Sequence, residues 1–252
     1  MTDEVRFINH EPCPECGSKD NLGVWSDEHK WCFGCGHYVP AEGKTVEYIR
    51  TLLKKKTPST TPLQLPPDNS MSIPLEPRTW LARYDITGRE IAKYNIRWSE
   101  KEKALLFSVE DQGKLVFYQK RLFKGPDAPK YLSEGSIGSY LNVMPAAPHT
   151  RVLGETIVVV EDYVSAMKVA DKCDCIPLFG SHIPKQLAVR LSNIYHNMII
   201  WLDHDKAKEA MKFKREYEAL YDDVKVIITP QDPKEYTHEV IGQKLKYALS
   251  SH

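Results

Sequence analysis

The sequence predicts a mixed α/β protein made of a small cysteine-rich module and a larger part that contains a parallel sheet. Two closely spaced pairs of cysteines lie near the N-terminus, and a proline-rich segment separates them from the rest of the chain. In the second half, short apolar runs without polar alternation are separated by segments of helical periodicity. Such runs are typical of strands that helices cover on both faces, as in parallel sheets.

The bulk composition limits the possible functions. The 252 residues suffice for one small module and one or two domains with their own cores. The 34 basic and 34 acidic side chains balance, so any binding to nucleic acid must depend on local patches. Because the sequence shows neither a membrane-length apolar run nor an export signal, we expect a cytoplasmic protein without membrane contact. Its six cysteines are then expected to be reduced.

The four N-terminal cysteines form two Cys-x₂-Cys pairs with fifteen residues between them, namely Cys13, Cys16, Cys32 and Cys35. This spacing predicts a tetrahedral zinc site in a ribbon over residues 1–44. A module of about forty residues is too small to fold on a hydrophobic core alone, so metal binding would supply its folding energy. Four protein ligands leave no open position, which indicates structural zinc. Two disulfides are the alternative interpretation.

The module is also rich in aromatic and imidazole side chains, namely Trp25, His29, Trp31, Phe33 and Tyr38. Such groups can stack on unpaired bases and form hydrogen bonds with their edges. The alternative for Trp31 and Phe33 is that they form the small core of the module. His29 lies between two charged residues, so we expect it to be exposed.

Residues 45–77 are predicted to be a short helix, at 46–56, followed by a linker. Six prolines lie between residues 57 and 77, interleaved with Ser, Thr and Gln. This composition favours an extended tether, which in a polyproline-like state would span about 60 Å. A long loop wrapped on the surface of one domain is the alternative.

The next part, residues 78–150, is predicted to be a mixed α/β subdomain. Residues 80–94 have helical periodicity, with a corner at 86–88. Residues 105–109 and 115–120 resemble strands, and the turn residues 110–113 between them predict a β-hairpin.

Residues 151–252 are predicted to form the parallel-sheet domain. Its four strands are expected at 157–160, 176–179, 198–202 and 224–228. In the helix after Asp205, we expect one face to be formed by Ala207, Met211, Tyr217, Leu220 and Tyr221. Cys173 and Cys175 have no partner pair, and we interpret them as a helix end and a strand start.

Carboxylates lie just past the carboxyl ends of three of these strands. Glu161 follows the first, Asp203 and Asp205 follow the third, and Asp232 follows the fourth. Ligand sites collect at the carboxyl ends of such strands. Clustered carboxylates repel one another unless cations such as Mg²⁺ neutralise them, so the sequence predicts a magnesium site. Singly, Asp205 fits a helix N-cap, Asp232 a turn before proline, and Glu161 a first helical turn.

These acidic blocks resemble those of the TOPRIM domain, which primases and topoisomerases share. With the cysteine ribbon, the linker and the mixed subdomain, almost the whole chain is similar to the primase half of short-tailed-phage primase–helicases. The resemblance implies a DNA primase that synthesises RNA primers by magnesium-dependent nucleotidyl transfer, with manganese as a possible substitute. Its implied partners are a single-stranded DNA template, ribonucleoside triphosphates and a separate replicative helicase, in the cytoplasm of a bacterial host.

The resemblance also implies roles for particular residues. Glu161 would be a metal ligand or the general base for the primer 3′-hydroxyl. The magnesium ligands would be Asp203, Asp205 and Asp232. Residues 26–32, with His29, are similar to the stretch that recognises the template in that family. The basic contacts to nucleotide and template would be Lys120, Arg121 and Lys130.

Two departures from the family pattern stand out. Asp162 and Tyr163 follow Glu161, where the family usually has a glycine and often a further acid beyond it. No phosphate-binding loop of a helicase motor is found, so we expect a free-standing primase or the front half of a longer protein. Two other functions stay open, a TOPRIM-type DNA-cleaving enzyme and a non-catalytic recombination mediator that binds single-stranded DNA.

Overall fold

The computed structural model describes residues 6–15, 17–33, 37–41, 62–125, 128–137 and 140–250. The chain divides into two compact units, Met1–Pro62 and Leu63–His252. Across these described stretches, no helix has both the length and the apolar character needed to cross a membrane. The predicted helix at 46–56 and the first residues of the predicted linker, 57–61, lie outside the described residues.

The first unit contains a four-stranded antiparallel sheet in the order β1-β2-β3-β4. Its strands are β1 (Phe7–Glu11), β2 (Leu22–Trp25), β3 (Lys30–Cys32) and β4 (Tyr38–Val39). Cys13, Leu22 and Cys32 form a small buried cluster beneath it. So few buried side chains contribute little hydrophobic free energy, which is consistent with a module that needs another source of stability.

The second unit begins with residues that the sequence assigned to the linker. Leu63 and Leu65 pack against a buried cluster of the second unit. A short strand, β5 (Asn69–Ser70), and a helix, α1 (Leu75–Ala82), follow. The expectation that the linker continues to Pro77 was therefore wrong at its C-terminal end. Pro77 lies in the first turn of α1, where backbone N–H groups have no partner within the helix, so proline is tolerated there.

A five-stranded antiparallel sheet forms the first layer of this unit, in the order β5-β6-β7-β8-β9. Its other strands are β6 (Arg97–Ser99), β7 (Ala104–Asp111), β8 (Lys114–Leu122) and β9 (Tyr131–Gly135). The predicted hairpin is confirmed as β7 and β8, with Asp111 opposite Lys114. Gln112 and Gly113 both have positive φ, 50° and 73°, as a two-residue hairpin turn requires.

The predicted helical corner before this sheet is also confirmed. Helix α1 ends at Ala82, and helix α2 (Gly88–Lys93) begins after Thr87. Thr87 and Glu90 form a capping box, in which the Thr87 N–H donates to Glu90 Oε2 at 2.9 Å.

The second layer is the predicted parallel sheet, in the order β11-β10-β12-β13. Its strands are β10 (Thr156–Val160), β11 (Asp174–Pro177), β12 (Asn197–Ile200) and β13 (Asp223–Val226). Its helices are α3 (Tyr163–Val169), α4 (Lys185–Ser192), α5 (Ala207–Tyr217) and α6 (His238–Ser250). Cys173 and Cys175 are buried just after α3 and within β11, as predicted.

Alternate residues of β10 enter two different cores. Val158 and Val160 belong to a cluster that also contains Phe107 of the antiparallel sheet. Ile157 and Val159 belong to a second cluster, which includes residues of α4 and α5. Because both faces of β10 are covered, its side chains are apolar throughout, which explains the unbroken hydrophobic run in the sequence.

The expected apolar face of α5 was only partly right. Ala210, Phe213 and Tyr217 are buried, whereas the Met211 residue is 42% exposed. The α-helix ends at Tyr217 and a 3₁₀ turn, Glu218–Leu220, follows it. The helical period therefore cannot be continued to Leu220, and the buried face follows the 210, 213, 217 spacing instead.

Candidate active site and nucleic-acid interface

Three of the predicted acidic residues lie at one edge of the parallel sheet. Glu161 directly follows β10, Asp203 follows β12 by three residues, and Asp232 comes after β13. These strands are neighbours in the sheet, so their carboxyl ends meet. The main-chain N–H of Asp203 donates to Glu161 Oε1 at 3.1 Å, which joins the ends of β10 and β12.

The electrostatics of this edge disfavour the charged form of two carboxyl groups. Burial, and then the negative charge of Asp203, raise the pKa of Glu161 to about 7. Burial, and then the charge of Asp232, raise the pKa of Asp203 to about 6. Desolvation and neighbouring negative charges both disfavour the ionised form of these groups. A bound cation would favour that form and lower both pKa values. Shifts of this kind cluster at functional sites.

The donor set of this edge fits a hard divalent cation. Asp203 Oδ1 is buried, and no hydrogen-bond partner for it lies among the described residues. A buried carboxylate oxygen without a partner is costly, and Mg²⁺ prefers such oxygen ligands. Within the described ranges, however, no three His, Cys, Asp or Glu side chains already stand in an arrangement that could hold a metal ion. The acids would have to move closer around the ion.

Of the three alternative roles considered for single acids, the structure supports only the turn at Asp232. Asp162, not Glu161, is the N-cap of α3, so Glu161 is outside the helix. Asp205 lies in a 3₁₀ turn, its side chain is 71% exposed, and it pairs with Lys206 at 2.8 Å. It makes no capping bond to α5, whose N-cap position is Lys206. Asp232 does open a turn, because its carbonyl accepts the Glu235 N–H at 3.0 Å.

Lys234 was not singled out in the sequence, yet it lies among these acids. Its Nζ donates to Asp232 Oδ2 at 2.8 Å and to Asp162 Oδ2 at 3.0 Å. Burial opposes the charge of Lys234, but the two carboxylates outweigh it and raise the pKa of the ammonium group. The spacing of Lys234 from Asp232 is visible in the sequence. Its contact with Asp162, which is 72 residues away, is not.

A buried polar contact behind the acids fixes the end of β12. Trp201 Nε1 donates to Thr229 Oγ1 at 2.9 Å, and His204 Nδ1 lies 3.1 Å from the Thr229 carbonyl oxygen. These contacts tie the residues on both sides of Asp203 to the segment after β13. They restrict the position of Asp203 relative to Asp232.

The two neighbouring basic residues of β8 have different environments. Lys120 is only 7% exposed and pairs with Glu134 at 3.3 Å and Glu102 at 3.7 Å. Arg121 points to the opposite face, as strand alternation requires. Its guanidinium carbon lies 5.2–5.3 Å from the ring centroids of three aromatic residues, namely Trp80, Phe123 and Tyr131. Arg121 is therefore surrounded by aromatic rings, and its Nη1 donates to the Leu122 carbonyl at 2.7 Å. Lys120 is instead paired with carboxylates.

Tyr131, one of the rings around Arg121, also responds to the charge of Asp162 at the acidic edge. Burial, and then the charge of Asp162, raise the pKa of Tyr131 to about 12, while Arg121 and Lys234 act to lower it. Tyr131 thus lies within electrostatic reach of both Arg121 and Asp162. Lys130, the other predicted contact, is exposed on the connection before β9.

In the first unit, the structure places two of the four predicted zinc ligands together. Cys13 and Cys32 lie in one buried cluster, 2% and 0% exposed. Cys16 and Cys35 lie outside the described residues. The four-cysteine site therefore stays a prediction.

His29 is held by two neighbours. Its Nδ1 lies 2.5 Å from Asp27 Oδ1, and its ring stacks on Trp25 with centroids 4.4 Å apart and an interplanar angle of 10°. It is half-buried rather than fully exposed, which differs from the sequence-based expectation. The idea that Trp31 and Phe33 form the module's core was wrong, because they are 38% and 61% exposed. The rings next to the His29 imidazole are those of Trp25 and Tyr38.

Comparison with known proteins gives one relative by sequence. The DNA helicase/primase of Enterobacteria phage T3 is 29% identical over 182 residues, which are 69% of this chain and 29% of that protein. The chain thus spans less than a third of that relative's length. No protein-family model matches the chain.

Two solved structures share the fold. The primase fragment of the bacteriophage T7 primase–helicase matches with a TM-score of 0.50 and 18% identity, over 96% of this chain and 99% of that chain. The zinc-binding and RNA polymerase domains of the Aquifex aeolicus primase match with a TM-score of 0.50 and 15% identity, over 100% of this chain and 79% of that chain. The predicted α/β fold class and the resemblance to phage primases are therefore confirmed.

Proposed function

We propose that the chain is a DNA primase, which synthesises short RNA primers on a single-stranded DNA template by magnesium-dependent nucleotidyl transfer. The observation that carries the proposal is the acidic edge of the parallel sheet, where Glu161, Asp203 and Asp232 follow neighbouring strands. Raised pKa values and an Asp203 oxygen without a partner among the described residues are expected of a site built for a cation. The similarity to the phage T3 helicase/primase supports this reaction over the other uses of such a site.

The acidic residues have different proposed roles in the reaction. Asp203 would hold Mg²⁺ through its buried Oδ1. The resemblance implies Asp205 and Asp232 as further ligands, although Asp232 is paired with Lys234 here. When bound, the metal supplies the positive charge that phosphoryl transfer requires. One Glu161 oxygen accepts the Asp203 N–H and so fixes the carboxyl group. Glu161, whose carboxyl group is fixed in this way, is proposed as the general base for the attacking 3′-hydroxyl.

Arg121 is the residue that we assign to phosphate binding near the acids. Three aromatic rings hold its guanidinium group, so less conformational entropy is lost when it binds a phosphate. Lys130 is exposed and can add a second charge-assisted contact to nucleotide or template. Lys120 would first have to leave Glu102 and Glu134, and we assign it a lesser role.

The first unit is proposed to read the template. The Asp27 carboxylate holds the proton of His29 on Nδ1, which leaves Nε2 to accept a hydrogen bond from a base. The exposed rings of Trp31 and Phe33 offer stacking surfaces for unpaired bases. Structural zinc on Cys13, Cys16, Cys32 and Cys35 would stabilise this unit. The proposed partners are single-stranded DNA, ribonucleoside triphosphates and a separate replicative helicase, in the cytoplasm of a bacterial host.

Incubation of the full chain with single-stranded DNA, Mg²⁺ and labelled ribonucleotides tests the proposal. We expect short RNA products that require the template. Asp222→Asn is the matched control for the Asp→Asn variants of the acidic edge. Asp222 is 78% exposed, and among the contacts described its side chain pairs only with His196, at the opposite end of β13. Nicked DNA without RNA synthesis would indicate a cleaving enzyme instead. Retention of DNA without any product would indicate a binding protein.

A further inference from the structure

Lys234 occupies a position between two carboxylates at the proposed metal site. Its Nζ lies 2.8 Å from Asp232 Oδ2 and 3.0 Å from Asp162 Oδ2. The Lys234 and Asp162 side chains are only 14% and 18% exposed. A lysine ammonium is charged at neutral pH, so a fixed positive charge neutralises this half of the acidic edge. Elsewhere at the edge, Lys206 pairs with the exposed Asp205.

Asp162 has its hydrogen-bonding capacity filled. Oδ1 accepts the main-chain N–H groups of Val164 at 2.9 Å and Ser165 at 3.0 Å. Oδ2 accepts the Ser165 hydroxyl at 2.7 Å in addition to Lys234. A carboxylate offers about four acceptor positions, and these four contacts use them. Asp162 is therefore committed to capping α3 and to holding Lys234.

Glu161 and Asp203 form the other half of the edge, and their contacts differ. Glu161 and Asp203 are joined only through the Asp203 N–H, and Asp203 Oδ1 has no partner among the described residues. No lysine or arginine forms an ion pair with either carboxylate in the described part of the chain. One half thus has a directly paired cation, whereas among the described residues Lys206 and Lys234 act on Glu161 and Asp203 only without an ion pair.

We propose that Lys234 takes the place of one divalent cation, so that the chain holds a single Mg²⁺, which Asp203 binds on the side of the edge next to Glu161. This inference rests on the proposed function, which requires a metal at this edge. Two-metal sites place two ions a few ångströms apart, each held by carboxylates. Here the tethered ammonium occupies the Asp162–Asp232 half. Lys234 is a positioning residue, because it acts through Asp232.

Counting bound metal tests the inference without any turnover. The zinc-loaded full chain is titrated with Mn²⁺, and free Mn²⁺ is measured by electron paramagnetic resonance. We expect one Mn²⁺ per chain in the wild type and two in Lys234→Ala, where Asp162 and Asp232 are left without their cation. Lys234→Arg keeps the charge and should bind one. The matched control Lys206→Ala, at the exposed Asp205, should also bind one.

Two further variants test which carboxylate binds the single ion of the wild-type protein. Asp203→Asn should abolish its binding, while Asp162→Asn should leave one bound Mn²⁺, because asparagine still caps α3. Two ions in the wild type, or one in a folded Lys234→Ala protein, would overturn the inference. If Lys234→Ala does not fold by circular dichroism, Lys234→Gln is counted instead, under the same criterion. A chain that binds one Mn²⁺ but makes no RNA would overturn the proposed function alone.

Discussion

Asp203 and Glu161, which are separated by 42 residues, are joined by a 3.1 Å hydrogen bond from the Asp203 N–H to Glu161 Oε1. The bond links the ends of two neighbouring parallel strands and holds two carboxyl groups close together. The pKa of each is raised, chiefly by burial and then by a neighbouring carboxylate. The ionised form of both groups is therefore disfavoured, and a bound cation would favour it.

Replacing Asp203 with Asn should abolish most primer synthesis while the fold is retained. Asparagine keeps the shape but cannot supply a charged metal ligand, and loss of several kcal/mol of charge stabilisation lowers the rate about a thousandfold. Primer synthesis under single-turnover conditions measures the loss, and thermal unfolding checks the fold. Glu161→Gln should behave similarly. Wild-type synthesis by a folded Asp203→Asn protein would refute the proposed mechanism.

The same pair predicts how stability depends on pH. The folded-state pKa of Glu161, about 7, lies above its ordinary value near 4.3. The folded state then binds more protons than the unfolded state, so this contribution is full below pH 4.3 and is lost as the pH rises through 7. Metal-free protein should lose stability across that window, and Glu161→Gln should lose less. Denaturant titrations at several pH values, with chelator present, measure the difference.

Much of the acidic edge could be predicted from the sequence because buried parallel strands leave a clear pattern. Runs such as 157–160 are apolar throughout, since both faces of β10 are covered. The carboxylates that follow them must then lie at one edge. The role of Asp162 could not be predicted, because its partner Lys234 is distant in sequence. Which acids carry a counter-ion depends on tertiary contacts.

One expectation about the linker failed for a local reason. Its prolines suggested extended chain as far as Pro77, but a first helical turn accepts proline. The resemblance assigned Lys120 and Arg121 together, and strand alternation places their side chains on opposite faces, so their roles are expected to differ. That assignment stays a prediction.

Replacing Cys32 with Ser tests the zinc site and the separation of the two units. Cys32 is buried with Cys13 and Leu22, and this cluster is small among the residues of the first unit that the structure describes. We expect loss of the bound zinc and unfolding of the first unit, while the second unit stays folded. Metal analysis and limited proteolysis measure both effects. Cys173→Ser is the control, and unchanged zinc content in Cys32→Ser would show that the ligand assignment is wrong.

Replacing His29 with Ala tests template reading. The His29 ring is fixed by Asp27 and Trp25, so its loss removes an oriented hydrogen-bonding group. Initiation at preferred template sites should fall about tenfold or more, whereas extension of a preformed primer should change little. His196→Ala, at a more exposed histidine of the second unit, is the control. Equal losses in both assays would indicate that His29 has only a structural role.

The contrast between Arg121 and Lys120 provides the last test. Arg121 lies among three rings near the acidic edge, so Arg121→Ala should raise the KM for ribonucleotides about tenfold, with a smaller effect on kcat. Arg121→Lys should restore little, because an ammonium cannot reproduce the planar, stacked guanidinium. Lys120→Met leaves Glu102 and Glu134 without their common partner and should change stability more than KM. Steady-state kinetics and thermal unfolding of the three variants separate these effects. If Lys120→Met raised the KM as much as Arg121→Ala, the two side chains would share the phosphate, and the assignment to Arg121 alone would be wrong.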